Sequence, residues 1–172
     1  MKNILRKLSF ILACVTVLSF VSCDNDYPDD GYFKVGEKTY YVNHASLESV
    51  GYENGYHQLR LTLDNSNSNE PHAINFLFYS EVDEYLPSGL YVPYAYDDKY
   101  DHRFKRGGWM KGDDELGVIL LGKVKVTKNN DIYTIRIDCN DISQNVITGE
   151  YKGEIFVKNW GATYNVIIFG WY

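Results

Sequence analysis

Val124-Lys125-Val126-Thr127-Lys128-Asn129-Asn130-Asp131-Ile132-Tyr133-Thr134-Ile135-Arg136-Ile137-Asp138-Cys139 reads as two strands joined by a turn. Val124 and Val126 alternate with lysines before the turn. Tyr133, Ile135, Ile137 and Cys139 alternate with Thr134, Arg136 and Asp138 after it. A period of two puts one set of side chains on a core and the other in water, as a pleated strand does and a helix does not. Asn129-Asn130-Asp131 supplies the turn chemistry between them.

The same period recurs on both sides of this hairpin. Leu59, Leu61 and Leu63 alternate with Gln58, Arg60 and Thr62, and Ile74, Phe76 and Phe78 repeat the pattern. Val118, Leu120, Val124 and Val126 form one face of the next segment. Its first half, with Ile119 and Leu121, is apolar on both faces and is expected to be covered on both. Ile147, Tyr151, Ile155 and Val157 follow, with Gly149 and Gly153 in the inward register, where glycine signals a bend or a close backbone approach. Tyr164-Asn165-Val166-Ile167-Ile168-Phe169-Gly170-Trp171-Tyr172 ends the chain as an apolar strand. Shorter strands are expected over 32–36 and 39–45, around a Gly36-Glu37-Lys38 turn, and over 89–94 after Pro87-Ser88-Gly89.

No stretch sustains apolar spacing of three and four, so the expected class is all-β, with about eight or nine antiparallel strands. Such a sheet escapes exposed edges by closing or doubling. Period alone leaves both a two-sheet sandwich and a barrel open; the short turns between the last five segments favour an up-and-down, lipocalin-like barrel.

The N-terminus has a different composition. Lys2, Arg6 and Lys7 precede an apolar run from Leu8 to Val21, the layout of a signal peptide over 1–22. The run falls short of the ~18 apolar residues that a spanning helix needs. Phe20-Val21-Ser22-Cys23 resembles the lipobox of bacterial lipoproteins, in which a lipid joins the cysteine sulfur and cleavage follows just before it, although Phe20 stands where Leu is usual. That resemblance implies a membrane anchor on Cys23. Asp24-Asn25-Asp26-Tyr27-Pro28-Asp29-Asp30 lacks hydrophobic periodicity, so 23–31 is expected to be an acidic, flexible tether to a single domain over 32–172. Acidic residues just after such a cysteine also resemble the export signal of surface lipoproteins of Bacteroidota. The implied location is the outer membrane, facing outward, with the periplasmic face as the alternative.

The whole chain carries 17 Lys and Arg against 23 Asp and Glu, and three of those cations leave with the leader. A surface this acidic repels phosphate backbones and argues against nucleic acid as a partner. Of the 3 cysteines, Cys14 lies in the leader and Cys23 is the anchor, so Cys139 has no disulfide partner and reads as a small buried hydrophobe on a strand.

Motifs for chemistry are sparse. His44, His57, His72 and His102 fall in no metal or catalytic spacing and read as solvent-facing polar residues. There is no GxSxG elbow, glycine-rich phosphate loop or SxxK motif. Asp97/Asp98/Asp101 and Asp113/Asp114/Glu115 read as solvated turns, not a glycosidase pair. Asp64-Asn65-Ser66-Asn67-Ser68-Asn69-Glu70 is rich in oxygen but lacks the glycine and distal glutamate of an EF-hand loop. No enzyme activity, metal or cofactor is expected.

The informative excess is aromatic: 16 Tyr, 8 Phe and 3 Trp. The segment from Tyr91 to Trp109 interleaves rings with charge and fits no strand, and long loops on a β scaffold commonly carry binding. Rings stack on the apolar face of a pyranose while neighbouring polar groups take its hydroxyls. The candidate ligand residues are Tyr94, Tyr96, Tyr100, His102, Arg103 and Trp109. The competing and favoured reading is a loop folded over the barrel mouth, its rings packed on the core.

Gly122-Lys123-Val124-Lys125-Val126-Thr127, Asp131-Ile132-Tyr133-Thr134-Ile135 and Ile147-Thr148-Gly149-Glu150-Tyr151-Lys152-Gly153 resemble the C-terminal half of small uncharacterised lipoproteins of gut Bacteroidota. Pro87-Ser88-Gly89-Leu90-Tyr91 and Phe33-Lys34-Val35-Gly36 are similar to that group too. The resemblance implies a surface β-domain with a role in nutrient capture or adhesion; with the aromatic segment, the expected function is binding of a glycan or another extracellular ligand. The alternative is a protein-interaction or adhesion component of an outer-membrane assembly.

Overall fold

The computed structural model describes residues 30–65, 68–95, 99–113 and 115–158. The leader, Cys23, the tether up to Asp29, Tyr96 and the strand expected over 164–172 lie outside the described residues. The rest is all-β: β1 (Gly31–Val35), β2 (Lys38–Val42), β3 (His44–Glu53), β4 (Tyr56–Asp64), β5 (His72–Ser80), β6 (Gly89–Pro93), β7 (Arg103–Lys111), β8 (Glu115–Asn129), β9 (Ile132–Asp141), β10 (Val146–Glu154) and β11 (Phe156–Lys158). β1 starts one residue before the expected domain boundary.

These 11 strands make one strongly curled, open half-barrel sheet in the order β11-β3-β4-β5-β7-β6-β8-β9-β10-β1-β2. The expected class holds, and one curled sheet is roughly compatible with the barrel favoured over the two-sheet sandwich, but two finer expectations do not hold. There are more strands than eight or nine, and two pairings are parallel (β6 with β7 and β11 with β3). The meander survives as β3-β4-β5 and, through the antiparallel pairing of β7 with β8, as β7-β8-β9-β10. β6 wedges between diverging parts of β7 and β8: Tyr91 pairs with Val124 and Pro93 with Phe104, while Gly107–Lys111 pair with β8 directly.

β2 runs into β3 through Asn43 alone, and β10 into β11 through Ile155 alone. Each therefore carries extended chain from one end of the strand order to the other, and β11 lies parallel to β3.

The alternation read from sequence sets the core. Leu59, Leu61, Leu63, Ile74, Phe76, Phe78, Tyr133, Ile135, Ile137 and Cys139 are all buried, in one cluster with Phe33, Leu47, Phe104, Trp109 and Tyr151. Side chains thus fill the interior of the curl. Gly149 meets the expected close approach: a Cβ there would stand 2.7 Å from the Tyr32 carbonyl oxygen. β8 differs. A bulge between Ile119 and Leu121 reverses its parity, so Ile119 points inward together with Val124 and Val126. Leu116, Leu120 and Leu121 are exposed, Leu121 to 64%. Among the described residues, the outer face of this half of β8 is therefore not covered as expected.

The Cys139 thiol is pushed up to about 11 by burial, from an ordinary 9.0. Burial likewise raises Tyr151, to about 12 from 10.0, and lifts Tyr79 and Tyr91 above the tyrosine range. Each group keeps its proton in the fold at a pH where the unfolded chain has lost it. Their contribution to stability is complete below pH 9 and disappears as pH rises toward 11 to 12. Urea midpoints followed by circular dichroism should hold between pH 7 and 8.5 and fall steadily above pH 9.5. A flat profile to pH 11 contradicts this.

Candidate functional site

The turn between β3 and β4 is Asn54-Gly55, both at positive φ (51° and 90°), the chemistry of a tight hairpin whose twist matches its strands. It brings Tyr52, Glu53 and Tyr56 together at one end of the sheet. β5 adds Tyr79. Phe76 and Phe78 take the inward positions, so Tyr79 points to the outer face, yet only 2% of it is exposed. The cover includes Tyr94 and Tyr100 of the segment between β6 and β7, which folds back over the outside of the sheet.

The result is a stack of tyrosines. Tyr100 lies between Tyr94 (ring centroids 4.6 Å apart, planes at 17°) and Tyr56 (5.4 Å, 29°). Tyr79 meets the Tyr100 ring edge-on at 4.6 Å and the Tyr94 ring at 5.5 Å. Offset and edge-on aromatic pairs add attraction beyond the area they bury. Tyr52, 67% exposed, stands edge-on to His57 at 5.0 Å.

Polar groups lock the stack to the hairpin. The Asn54 side-chain amide donates to the Tyr100 hydroxyl oxygen. One oxygen of Glu53 accepts from Lys105 Nζ at 2.8 Å, from the Tyr79 hydroxyl at 3.2 Å and from the Gln58 side-chain amide. The Lys105 hydrogen bond, outweighing partial burial, holds the Glu53 carboxyl below its ordinary value, while burial and then the Glu53 charge raise Tyr79. The glutamate is thus an anion and Tyr79 stays neutral. The patch offers flat apolar rings, hydroxyls, an ammonium and amides. Among the described residues no group of three or more His, Cys, Asp or Glu could hold a metal ion.

The structure separates the residues expected at this site. Tyr94 and Tyr100 join the stack, on the outer face of the sheet and not over a barrel mouth. His102, at φ +52°, turns away onto Tyr91 (5.2 Å between rings), with Nε2 3.3 Å from the Ser88 carbonyl oxygen. Arg103 opens β7 and is half-buried, its backbone N–H donating to the Tyr100 carbonyl at 3.2 Å. Trp109 lies near the far end of β7, 7% exposed in the core, where its indole N–H donates to Asp141 Oδ2 at 3.2 Å. The stretch expected to fit no strand is therefore narrowed from both sides, by β6 up to Pro93 and by β7 from Arg103. Tyr52, Glu53, Tyr56, Tyr79 and Lys105 went unread in the sequence, although Asn54-Gly55 flanked by tyrosines is a signal that could have found the hairpin part.

A second concave feature lies at the other end of β3. It is a groove of ≈450 Å³ walled by Asn43, His44 and Ala45 on one side and Gly153, Glu154, Ile155, Phe156 and Val157 on the other, with Asp30 and Tyr151 at its head. His44 Nδ1 lies 3.0 Å from Asp64 Oδ2 beside it.

No family model matches this chain, and neither a curated protein nor a solved structure has significant similarity to it.

Proposed function

We propose that the chain is a lipoprotein, anchored through lipid on Cys23 and displayed on the outer membrane, whose β-domain binds an extracellular glycan without catalysis. The observation that carries the binding part is the outward-facing tyrosine stack of Tyr56, Tyr100 and Tyr94, with Lys105 and Asn54 among its polar groups. A filled interior leaves recognition to the surface. Position supports display as well. The described chain enters beside His44, at one end of β3, and the stack stands at Glu53, at the other, roughly 30 Å away along the strand.

Display of the unlipidated domain on a glycan array tests the binding part. The parent should bind at least one class of glycan, with about tenfold weaker binding for Tyr56→Ala and for Tyr94→Ala, since one stacked ring is worth about 1.4 kcal/mol. No binding by the parent to any glycan ends this reading.

A second reading, a protein-contact surface, has its own support in Leu116, Leu120, Leu121, Ile142 and Val146, which are exposed along β8 and around the β9–β10 turn. Large exposed apolar patches mark protein contact sites. A partner recovered from solubilised membranes with the parent, and lost with Leu121→Asp, would favour it.

A further inference from the structure

One stretch of the outer surface runs against the charge of the chain. On β8, β9, β10, β1 and β2, the residues that alternate with the buried set line up in three cross-strand rows. Lys125, Arg136, Glu150, Tyr32 and Tyr41 make the first, each opposite the next. Lys123, Asp138, Thr148, Lys34 and Thr39 make the second, and Thr127, Thr134 and Lys152 the third. The row beyond, Leu121, Asn140 and Val146, belongs to the exposed apolar patch around Leu121.

The three rows hold Lys34, Lys123, Lys125, Arg136 and Lys152 against Asp138 and Glu150, a surplus of three cations on a chain whose formal net charge is −6. Both acids are already paired, Asp138 with Lys123 at 3.1 Å and Glu150 with Arg136 at 3.3 Å. Among the described residues, Lys34, Lys125 and Lys152 form no ion pair. Lys125 stands directly opposite Arg136, and like charges so placed destabilise a sheet. An ordinary solvated face intersperses both signs. An anion laid along these rows relieves the repulsion.

Two tyrosines close the first row. The Tyr41 carbonyl accepts from the side chains of Asn65 and His72, so it points away from β1. Tyr32 and Tyr41 are therefore a non-hydrogen-bonded pair, the kind that brings side chains closest. Both are exposed, by 36% and 51%, and Lys34 Nζ lies 5.7 Å from the centre of the Tyr32 ring.

We propose that this face is a second binding site, for an acidic polysaccharide that carries carboxylate or sulfate groups along its chain. The first row crosses five strands and is about 19 Å long, room for several sugar units. Arg136 and the lysines take the acidic groups, the threonines bond hydroxyls, and the tyrosine pair stacks on a sugar face at the end of the row. A lipid surface shares the attraction of the cations, but surface-bound elements also insert Trp, Phe or Leu, and the three rows hold none. The face lies on other strands than the tyrosine stack and does not depend on that stack binding a glycan.

Biolayer interferometry on immobilised polygalacturonate and dextran sulfate, with neutral dextran as the reference surface, tests it on residues 23–172 carrying Cys23→Ser. The parent should bind at least one of the two acidic chains, and salt should weaken the binding. Lys34→Glu, Lys125→Glu and Lys152→Glu together should weaken it at least tenfold, whereas Tyr56→Ala and Tyr94→Ala leave it unchanged. Lys125→Glu alone should raise the urea midpoint, because it then faces Arg136, while still weakening binding, which separates lost contact from lost folding. Tyr32→Ala with Tyr41→Ala should weaken binding about tenfold at unchanged charge. No binding to either acidic chain overturns the proposal. Binding that survives the loss of both tyrosines is ion exchange only and overturns it too. Tighter binding to phosphatidylglycerol vesicles than to either chain makes the face a membrane contact instead. Failure of the tyrosine-stack reading on the glycan array leaves these outcomes unchanged.

Discussion

Asp141→Ala should cost the domain about 4 kcal/mol and lower its melting temperature by roughly 15 °C. Asp141 closes β9 with 3% of its surface exposed, and four donors converge on its carboxylate. Oδ1 accepts the backbone N–H groups of Ser143 and Asn145, each at 2.9 Å. Oδ2 accepts the Asn145 side-chain amide at 2.9 Å and the Trp109 indole N–H at 3.2 Å. Burial alone pushes this carboxyl up; the donors led by Asn145 outweigh it, and the group lies below its ordinary value. Alanine leaves these donors in a space with no acceptor, and each orphaned buried group costs about 1 to 3 kcal/mol. Asp141→Asn should cost nearly as much, because an amide nitrogen then faces a donor. Trp109→Phe removes one donor and should cost about 1 to 2 kcal/mol. Since the folded value is depressed, this stabilisation is present above pH 4 and disappears as pH falls, so parent and Asp141→Ala should converge in acid. Thermal unfolding at pH 7 and pH 3 measures both effects; a loss under 1 kcal/mol at pH 7 contradicts the account.

How much of this was legible depends on how local each cause is. The inward sets at 59/61/63, 74/76/78 and 133–139 came straight from period two, because a buried face constrains every second residue. The phase of β8 did not, because one bulge near Gly122, at φ +114°, reverses it, and alternation carries no mark of the extra residue. β6 is the short strand expected over 89–94, whereas β11, with three residues, is a separate strand only because of the backbone beside it. Trp109 looked like part of a loop because Gly107-Gly108 interrupts the pattern. Gly107 is there to make room: a Cβ would stand 2.7 Å from the Phe76 ring.

The site divides in the same way. Tyr94 and Tyr100 stood out as aromatic excess in a segment without period. Tyr79 did not, because its parity reads as outward and exposed, and only a segment returning over the outer face buries it. A residue whose surroundings come from chain 15 or more positions away carries no local sign of them. Asp141 is a further case: as an acid ending a strand it reads as solvated, and its role depends on an indole 32 positions earlier.

The largest effect expected of any substitution belongs to a residue that precedes the described ones. Cys23→Ser should move the protein from the membrane fraction to the soluble fraction almost completely. Each buried CH₂ of an acyl chain is worth about 0.8 kcal/mol, and one chain alone binds only marginally, so an anchor of two or more chains is close to all-or-none. Nothing else read in the sequence replaces it, since the described residues contain no helix long and apolar enough to cross a membrane. Growth with an alkyne fatty acid should label the parent and not Cys23→Ser, and fractionation should follow the label. Replacing Asp24 and Asp26 with Ala should leave label and membrane fraction unchanged but protect the protein from protease added to whole cells, because those acids are read here as the signal for outward export. A Cys23→Ser protein that stays with the membrane would place the anchor elsewhere. An alanine pair that stays protease-sensitive would keep the anchor and discard the export signal.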